Sequence, residues 1–184
     1  MQLDAYVFRD ELIQWCQEPW AYIGAPIYHD GHPYGEKHCK WVGAGGFSLR
    51  RLDAFHAAFA ANPVVFLPEH LKERLAPFNW RGKIHVVLRY LRFLLERDDR
   101  LQQQSNQLMR LIGLNEDEVF GKFLPDVCSW FQVPPYSIAR SFAIDRHVAA
   151  ELTALGRVPF GCHAWWTSSE NLTAWRPHIP ELIH

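Results

Sequence analysis

The chain has 184 residues and a formal net charge of −1, with 48% hydrophobic and 21% charged residues. This length supports one folded domain with a substantial core, and we predict a single domain over residues 1–184. The near-zero charge gives no electrostatic reason to expect nucleic acid or an anionic membrane as a partner. The four cysteines form no CxxC pair, and neither a secretory pattern nor an apolar run of membrane-spanning length is visible. We therefore expect a cytoplasmic protein without a membrane span.

The first fifty residues predict short strands and one helix. Residues 4–8 predict the end of a strand, and Asp10 is expected to cap a helix that reaches Gln17. Its Leu12, Ile13 and Trp15 are expected to be buried. Residues 21–26 predict a buried strand that ends at glycine and proline, and residues 27–40 predict a loop.

Two adjacent glycines precede an alternating segment, Gly45-Gly46-Phe47-Ser48-Leu49-Arg50. Glycine adopts backbone angles closed to other residues and lets a ligand approach the main chain. The alternation after the glycines predicts a short strand. A sugar or phosphate could lie over this segment with Ser48 and Arg50 as polar contacts. A tight turn before a strand is the structural alternative.

The rest of the sequence is mainly helical. A helix is predicted before Asn62-Pro63, and a long helical region from Ile84 to Ile112 that residues 97–100 bend or split. Gly113 closes that region, and residues 102–107 are expected to face solvent. Asn115 is expected to cap a short helix, a second helix is predicted to follow Pro134-Pro135 and end at Phe142, and residues 158–166 are predicted to be extended. Short strands alternating with helices predict an α/β fold.

Five segments in this order resemble the DUF5672 family: residues 2–12, 22–26, 42–50, 115–117 and 159–165. The resemblance spans nearly the whole chain, and residues 45–50 and 159–165 are its most specific parts. It implies a bacterial glycosyltransferase with a GT-A-like mixed sheet flanked by helices and a long central helix. It also implies an N-terminally truncated, acceptor-side portion, because GT-A folds place a nucleotide-binding half before their acidic motif.

The resemblance implies a divalent cation, Mn²⁺ or Mg²⁺, held by Asp4 and His163. Residues 2–4 depart from a full Asp-x-Asp motif, which puts metal dependence in question. Carboxylates and phosphate oxygens suit both ions, and an imidazole suits Mn²⁺ better. A packed, hydrogen-bonded histidine is the alternative interpretation of His163.

The same resemblance implies an inverting transfer of a sugar from a nucleotide-sugar donor to a glycan acceptor, in surface-polysaccharide assembly. Asp117 would be the general base and Glu116 an orienting group, although their order is open. Gly45, Gly46 and Phe47 would contact donor or acceptor. Further substrate contacts are expected from Ser48, Arg50 and Trp165.

Three other interpretations compete. A non-catalytic carbohydrate- or partner-binding module would also use the eight tryptophans, and an uncovered strand edge would favour a homodimer. A zinc site could form from His29, His32, His38 and Cys39, although their spacing matches no common finger. A hydrolase is disfavoured because Ser48 lacks a nucleophile-elbow context and Cys162-His163 are sequence neighbours.

Overall fold

A computed structural model describes residues 4–29, 34–66 and 68–180, and its architecture is mixed α/β, as predicted. Within the predicted domain the chain forms two compact units. The first unit lies within Met1–Arg51 and Gln132–His184, and the second is Leu52–Phe131. In the ranges described, no helix is long and apolar enough to cross a membrane. The helices are α1 (Leu12–Gln17), α2 (Leu52–Ala61), α3 (Pro68–Leu75), α4 (Trp80–Glu96), α5 (Leu101–Ile112), α6 (Glu116–Glu118), α7 (Leu124–Val127), α8 (Tyr136–Phe142), α9 (Val148–Leu155) and α10 (Ser169–Trp175), with a π-helical segment at Val119–Phe123.

A small mixed sheet organises the first unit. Its strands are β1 (Tyr6–Val7), β4 (Ala143–Ile144) and β5 (Gly161–Cys162), in the spatial order β1-β5-β4. β5 runs antiparallel to β1 and parallel to β4, so the chain segments before β1 and after β4 and β5 approach one another. Buried apolar side chains, with Trp175 of α10 the largest, pack against this sheet.

A second, two-stranded sheet pairs β2 (Tyr22–Tyr28) with β3 (Cys39–Arg50). Residues 45–50 therefore belong to one strand, and the tight-turn alternative is wrong. The predicted end of the strand at residues 21–26 is also wrong, because β2 continues past Pro26 to Tyr28. The register shifts on both sides of Ala25, and such irregular pairing tolerates a proline that cannot donate a ladder hydrogen bond.

The helix α1 forms where it was predicted, but its cap and its burial differ from the prediction. Glu11, not Asp10, occupies the N-cap position, and no side chain caps the helix. Leu12 is exposed and Ile13 is 74% exposed. Only the partly buried Trp15 packs against the neighbouring core, because a helix of six residues presents little more than one turn to it.

The long helical region of the second unit confirms the predicted split. α4 ends at Glu96, α5 begins at Leu101, and Gly113 caps α5 with a left-handed φ of 73°. The expectation of a solvent-facing polar tract is wrong for Gln104 and Ser105, which are buried. The Gln104 side-chain amide accepts a hydrogen bond from the backbone N–H of Val65 and donates to the carbonyls of Pro63 and Asp99. It thereby provides hydrogen-bond partners for backbone groups that belong to no helix or strand.

A buried polar network joins β2 to α8 and α9 in the first unit. Glu151 is 1% exposed, and its carboxylate accepts hydrogen bonds from the hydroxyls of Tyr28 and Tyr136, the latter at 2.6 Å. The Arg140 side chain lies 3.0 Å from the other carboxylate oxygen and donates to the Glu151 carbonyl at 2.9 Å. One carboxylate thereby fixes three elements that surround the first unit's core.

This network predicts a loss of stability at alkaline pH. Burial and the hydrogen bond to Glu151 raise the pKa of Tyr136 to about 12, and burial with Glu151 raises the pKa of Tyr28 as well. The pKa of a tyrosine in the unfolded chain is ~10. The stability that the two protonated hydroxyls contribute is therefore complete below that pH, and it is lost as the pH rises through their folded-state pKa values. Urea unfolding at ~1-unit steps between pH 8 and 12 measures how steeply the free energy of unfolding falls with pH. Tyr136→Phe should flatten this dependence, and an unchanged slope would contradict the assignment to this network.

Candidate functional site

The first unit contains a cleft of about 820 Å³. One wall is the second half of β3, and the other is the segment that connects β1 to α1. Phe142 at the end of α8 and Phe160 before β5 close its floor. The cleft is lined by Val7, Phe8, Arg9, Asp10, Leu12, Gly45, Gly46, Phe47, Ser48, Leu49, Arg50, Phe142 and Phe160.

A wide β-bulge shapes the β3 wall. Gly24 of β2 pairs with Ser48, but the next residue, Ala25, pairs with Ala44, so the register of the two strands shifts across residues 45–47. The Ser48 hydroxyl donates to the Gly45 carbonyl at 3.2 Å and closes the bulge. Bulges redirect side chains and main-chain groups near functional sites, and this one directs residues 45–47 toward the cleft.

Aromatic packing holds the bulge in place. The Phe47 ring lies 5.3 Å from the ring of Phe142 and 5.6 Å from that of Phe160, measured between centroids. Gly161 of β5 gives this ring its room, because a Cβ there would lie 2.4 Å from the Phe47 Cζ. The segment Gly45-Gly46-Phe47 therefore holds its position in the cleft wall because Gly161, on another strand, leaves room for the Phe47 ring.

Two arginines and one aspartate are among the residues that line the cleft. Arg9 donates through Nε to Glu11, and the Arg50 guanidinium carbon lies 5.6 Å from the centroid of the Tyr22 ring. Asp10 is exposed and lines the cleft. Sequence reasoning missed Arg9 and treated Asp10 as a helix cap. Their position directly after the short strand β1 could have indicated a role in the site, because binding residues often lie on loops that follow strands.

Behind the bulge, His163 lies between two carboxylates. Its Nδ1 is 3.0 Å from the Asp145 Oδ1, and its Nε2 is 3.4 Å from the Asp4 Oδ1. The two carboxylates thus contact both nitrogens of the ring, and the contact with Asp145 is the shorter. Asp145 is buried and follows β4 directly, which is the signal that sequence reasoning missed.

Gly46 joins this cluster to the cleft. A Cβ at Gly46 would lie 2.0, 2.2 and 2.3 Å from three atoms of the His163 ring. Such similar distances place this Cβ over the face of the ring, near its Nε2 end. Gly46 itself lines the cleft, so the cluster stands one residue behind the cleft surface.

The chain beyond His163 is turned and anchored by α10. Ala164 has a positive φ of 56°, so the predicted extended segment ends at Cys162. The Asn171 amide donates to the carbonyls of Asp145 and Ala164, each at 3.2 Å. Trp165 packs against the core beside β5 and does not line the cleft, whereas Trp166 is exposed.

Asp4 and His163 are the two residues that could contribute to a divalent-cation site. Asp4 presents a carboxylate to Nε2, while Asp145 holds Nδ1, an arrangement that orients histidine ligands in metalloproteins. Within the part of the chain that the structure describes, no three His, Cys, Asp or Glu side chains form a group that could hold a metal ion. Two protein ligands with a substrate diphosphate and water are typical of Mg²⁺ and Mn²⁺ sites.

The predicted acidic pair lies in the second unit. Glu116 and Asp117 occupy the first turn of α6, both half-buried, and Asn115 at the N-cap makes no side-chain cap bond. The zinc interpretation involves His32, which lies outside the described residues. Of its other members, Cys39 donates its thiol to the Trp41 carbonyl, and burial raises its pKa to about 11.

A nucleophilic role for Cys162 conflicts with its surroundings. The thiol is fully buried, and burial raises its pKa to about 12. The thiolate, which is the reactive form, is therefore scarce near neutral pH.

Comparison with known proteins gives one match. The family described as "Protein of unknown function (DUF5672)" matches residues 1–163. The chain belongs to the DUF5672 family. Both the bulge of this DUF5672 chain and its His163 fall within the matched residues, whereas α10, which anchors the turn after His163, follows them. No curated protein and no solved structure matches the chain.

Proposed function

We propose that this DUF5672 chain is a glycosyltransferase that transfers a sugar from a nucleotide-sugar donor to a glycan acceptor in the cytoplasm, for polysaccharide assembly. The observation that carries the proposal is the composition of the cleft. Residues 45–50, one of the two most specific segments of the family resemblance, form one wall, and the Asp4–His163–Asp145 cluster stands directly behind it.

The cleft offers contacts suited to both parts of a nucleotide sugar. Glycines in the bulge permit close approach of a sugar ring to the main chain, and Phe47 supplies an apolar face of fixed orientation. Arg9 and Arg50 carry the positive charge that phosphate groups require, in the planar form that pairs with two oxygens. Ser48, on the same wall, supplies a hydroxyl group as a further polar contact.

Asp4 and His163 would hold a Mn²⁺ or Mg²⁺ ion, with Asp145 orienting the imidazole ring. A bound divalent cation neutralises charge that develops on a leaving diphosphate. Asp145 contacts Nδ1 and orients the ring, which leaves Nε2 on the side of Asp4. Gly46 admits the ring because it has no side chain.

The proton of the acceptor hydroxyl requires a carboxylate base, and one-step attack with such a base inverts the anomeric centre. We propose Asp117 for this role, with Glu116 as the orienting group. Asp10 is the alternative base, because this residue lines the cleft.

Release of nucleoside diphosphate from a panel of sugar nucleotides with Mn²⁺ tests the proposal. We expect metal-dependent turnover that Asp117→Asn lowers by about 100-fold or more, the usual contribution of a positioned base. Asp99→Asn is the matched control, because this carboxylate is exposed between α4 and α5 of the same unit.

Two other outcomes are informative. If Asp10→Asn abolishes turnover while Asp117→Asn preserves it, the base lies in the cleft. Binding of a sugar nucleotide or a glycan without turnover by any preparation would contradict the transferase and leave a binding module.

A further inference from the structure

The outward face of α4 carries a continuous apolar stripe. α4 packs against α3 and α5 in the second unit and buries Tyr90 and Phe93. On the opposite face, the sequence separations of 4, 4, 3 and 4 residues keep five large side chains in one line. The stripe consists of Trp80, Ile84, Leu88, Leu91 and Leu95, all of them exposed.

The exposure of this stripe distinguishes it from isolated surface leucines. Trp80 is 66% exposed and Leu95 is 88% exposed, at opposite ends of a 17-residue helix. A helix of that length extends about 25 Å, so the stripe is a long ridge. Contiguous exposed apolar surface of this kind marks an interaction site in soluble proteins.

The charges on α4 indicate which kind of partner would bind the ridge. At 100° per residue, Arg81 and Arg92 fall along one flank of the stripe and Lys83 falls on the other side. The only carboxylate in α4 is Glu96, which already pairs with Arg92 at 2.7 Å and with Arg110 at 3.4 Å. The partner must therefore supply the negative charge. A second copy would bring the same cations to the contact, and in an antiparallel pairing the arginine flank would face itself.

We propose that α4 docks the chain on a membrane surface that contains anionic lipids. The stripe inserts into the boundary between headgroups and acyl chains, while the arginines remain at headgroup level. Trp80 at the start of α4 has the amphipathic ring that favours this boundary. The net charge of −1 does not describe α4 by itself, because acids elsewhere in the chain balance the local positive charge of this helix. The proposal does not depend on the glycosyltransferase activity.

Sedimentation of the full chain with lipid vesicles tests the docking. We expect binding to phosphatidylcholine vesicles that contain phosphatidylglycerol, weak binding to pure phosphatidylcholine, and a decrease with added salt. Leu88→Gln/Leu95→Gln and Arg81→Gln/Lys83→Gln should each lower the binding constant by roughly tenfold or more.

Leu52→Gln is the matched control and should bind like the parent chain, because Leu52 is a highly exposed leucine on α2. Circular dichroism verifies that each variant is folded, and the single variant Leu95→Gln provides a milder test.

Three results would overturn the docking proposal. They are absence of binding at low salt, equal binding to both kinds of vesicle, and a dimer in sedimentation velocity that Leu88→Gln/Leu95→Gln converts to a monomer. The last result would assign the stripe to a contact between copies of the chain.

Discussion

Replacing Glu151 with alanine is expected to lower the free energy of unfolding by about 3–5 kcal/mol, the range for breaking a buried ion pair. The substitution removes the acceptor of two tyrosine hydroxyls and leaves the Arg140 guanidinium, with 14% of its side chain exposed, without its carboxylate. Each of these groups lost water on folding, so each retains a desolvation cost after its partner is removed. Urea unfolding followed by circular dichroism measures the loss.

A matched control separates the network from the general effect of removing a glutamate. Glu18→Ala changes an exposed residue just after α1 and should alter stability by no more than about 0.5 kcal/mol. If Glu151→Ala costs no more than Glu18→Ala, the carboxylate does not hold β2, α8 and α9 together.

Replacing Gly46 with alanine is expected to disrupt the site more than its one added methyl group suggests. The new Cβ would meet the His163 ring at 2.0–2.3 Å, so the ring must leave its position between Asp145 and Asp4. Overpacking of this kind costs about 1–3 kcal/mol. On the proposed function, displacement of a positioned group by ~1 Å lowers turnover by about 100-fold. Thermal unfolding and nucleoside diphosphate release measure the two effects.

A double-mutant cycle assigns the cause. In the His163→Ala background the ring is absent, so Gly46→Ala should cost almost nothing, and the coupling energy should lie within about 1–3 kcal/mol. An equal cost in both backgrounds would mean that the strain comes from the backbone of the bulge.

Local signals predicted the helical part of the fold well. The charged residues 97–100 and Gly113 fixed where α4 and α5 end, because chain breaks and left-handed caps depend on nearby residues. Asn62-Pro63 ended α2 for the same kind of reason. By contrast, spacing alone did not distinguish buried from exposed faces, so the exposure of Leu88 and the burial of Gln104 came from tertiary packing.

The site depends on contacts between distant segments, and sequence spacing carries little information about these. Residues 45–50 were identified from their glycines, but the bulge exists because of the pairing of β3 with β2. Asp145 lies 18 residues before His163 and reaches it because β4 and β5 are parallel neighbours. Asp10 was interpreted as a helix cap, so its position in the cleft was not predicted.

Saturation-transfer difference NMR with a panel of sugar nucleotides tests the central claim most directly, because it registers weak binding and reports which part of the ligand is contacted. We predict saturation transfer to sugar protons, lost in Phe47→Ala and retained in Leu52→Gln. Absence of transfer from every sugar nucleotide, or transfer that Phe47→Ala leaves unchanged, would contradict the assignment of this cleft to a sugar donor.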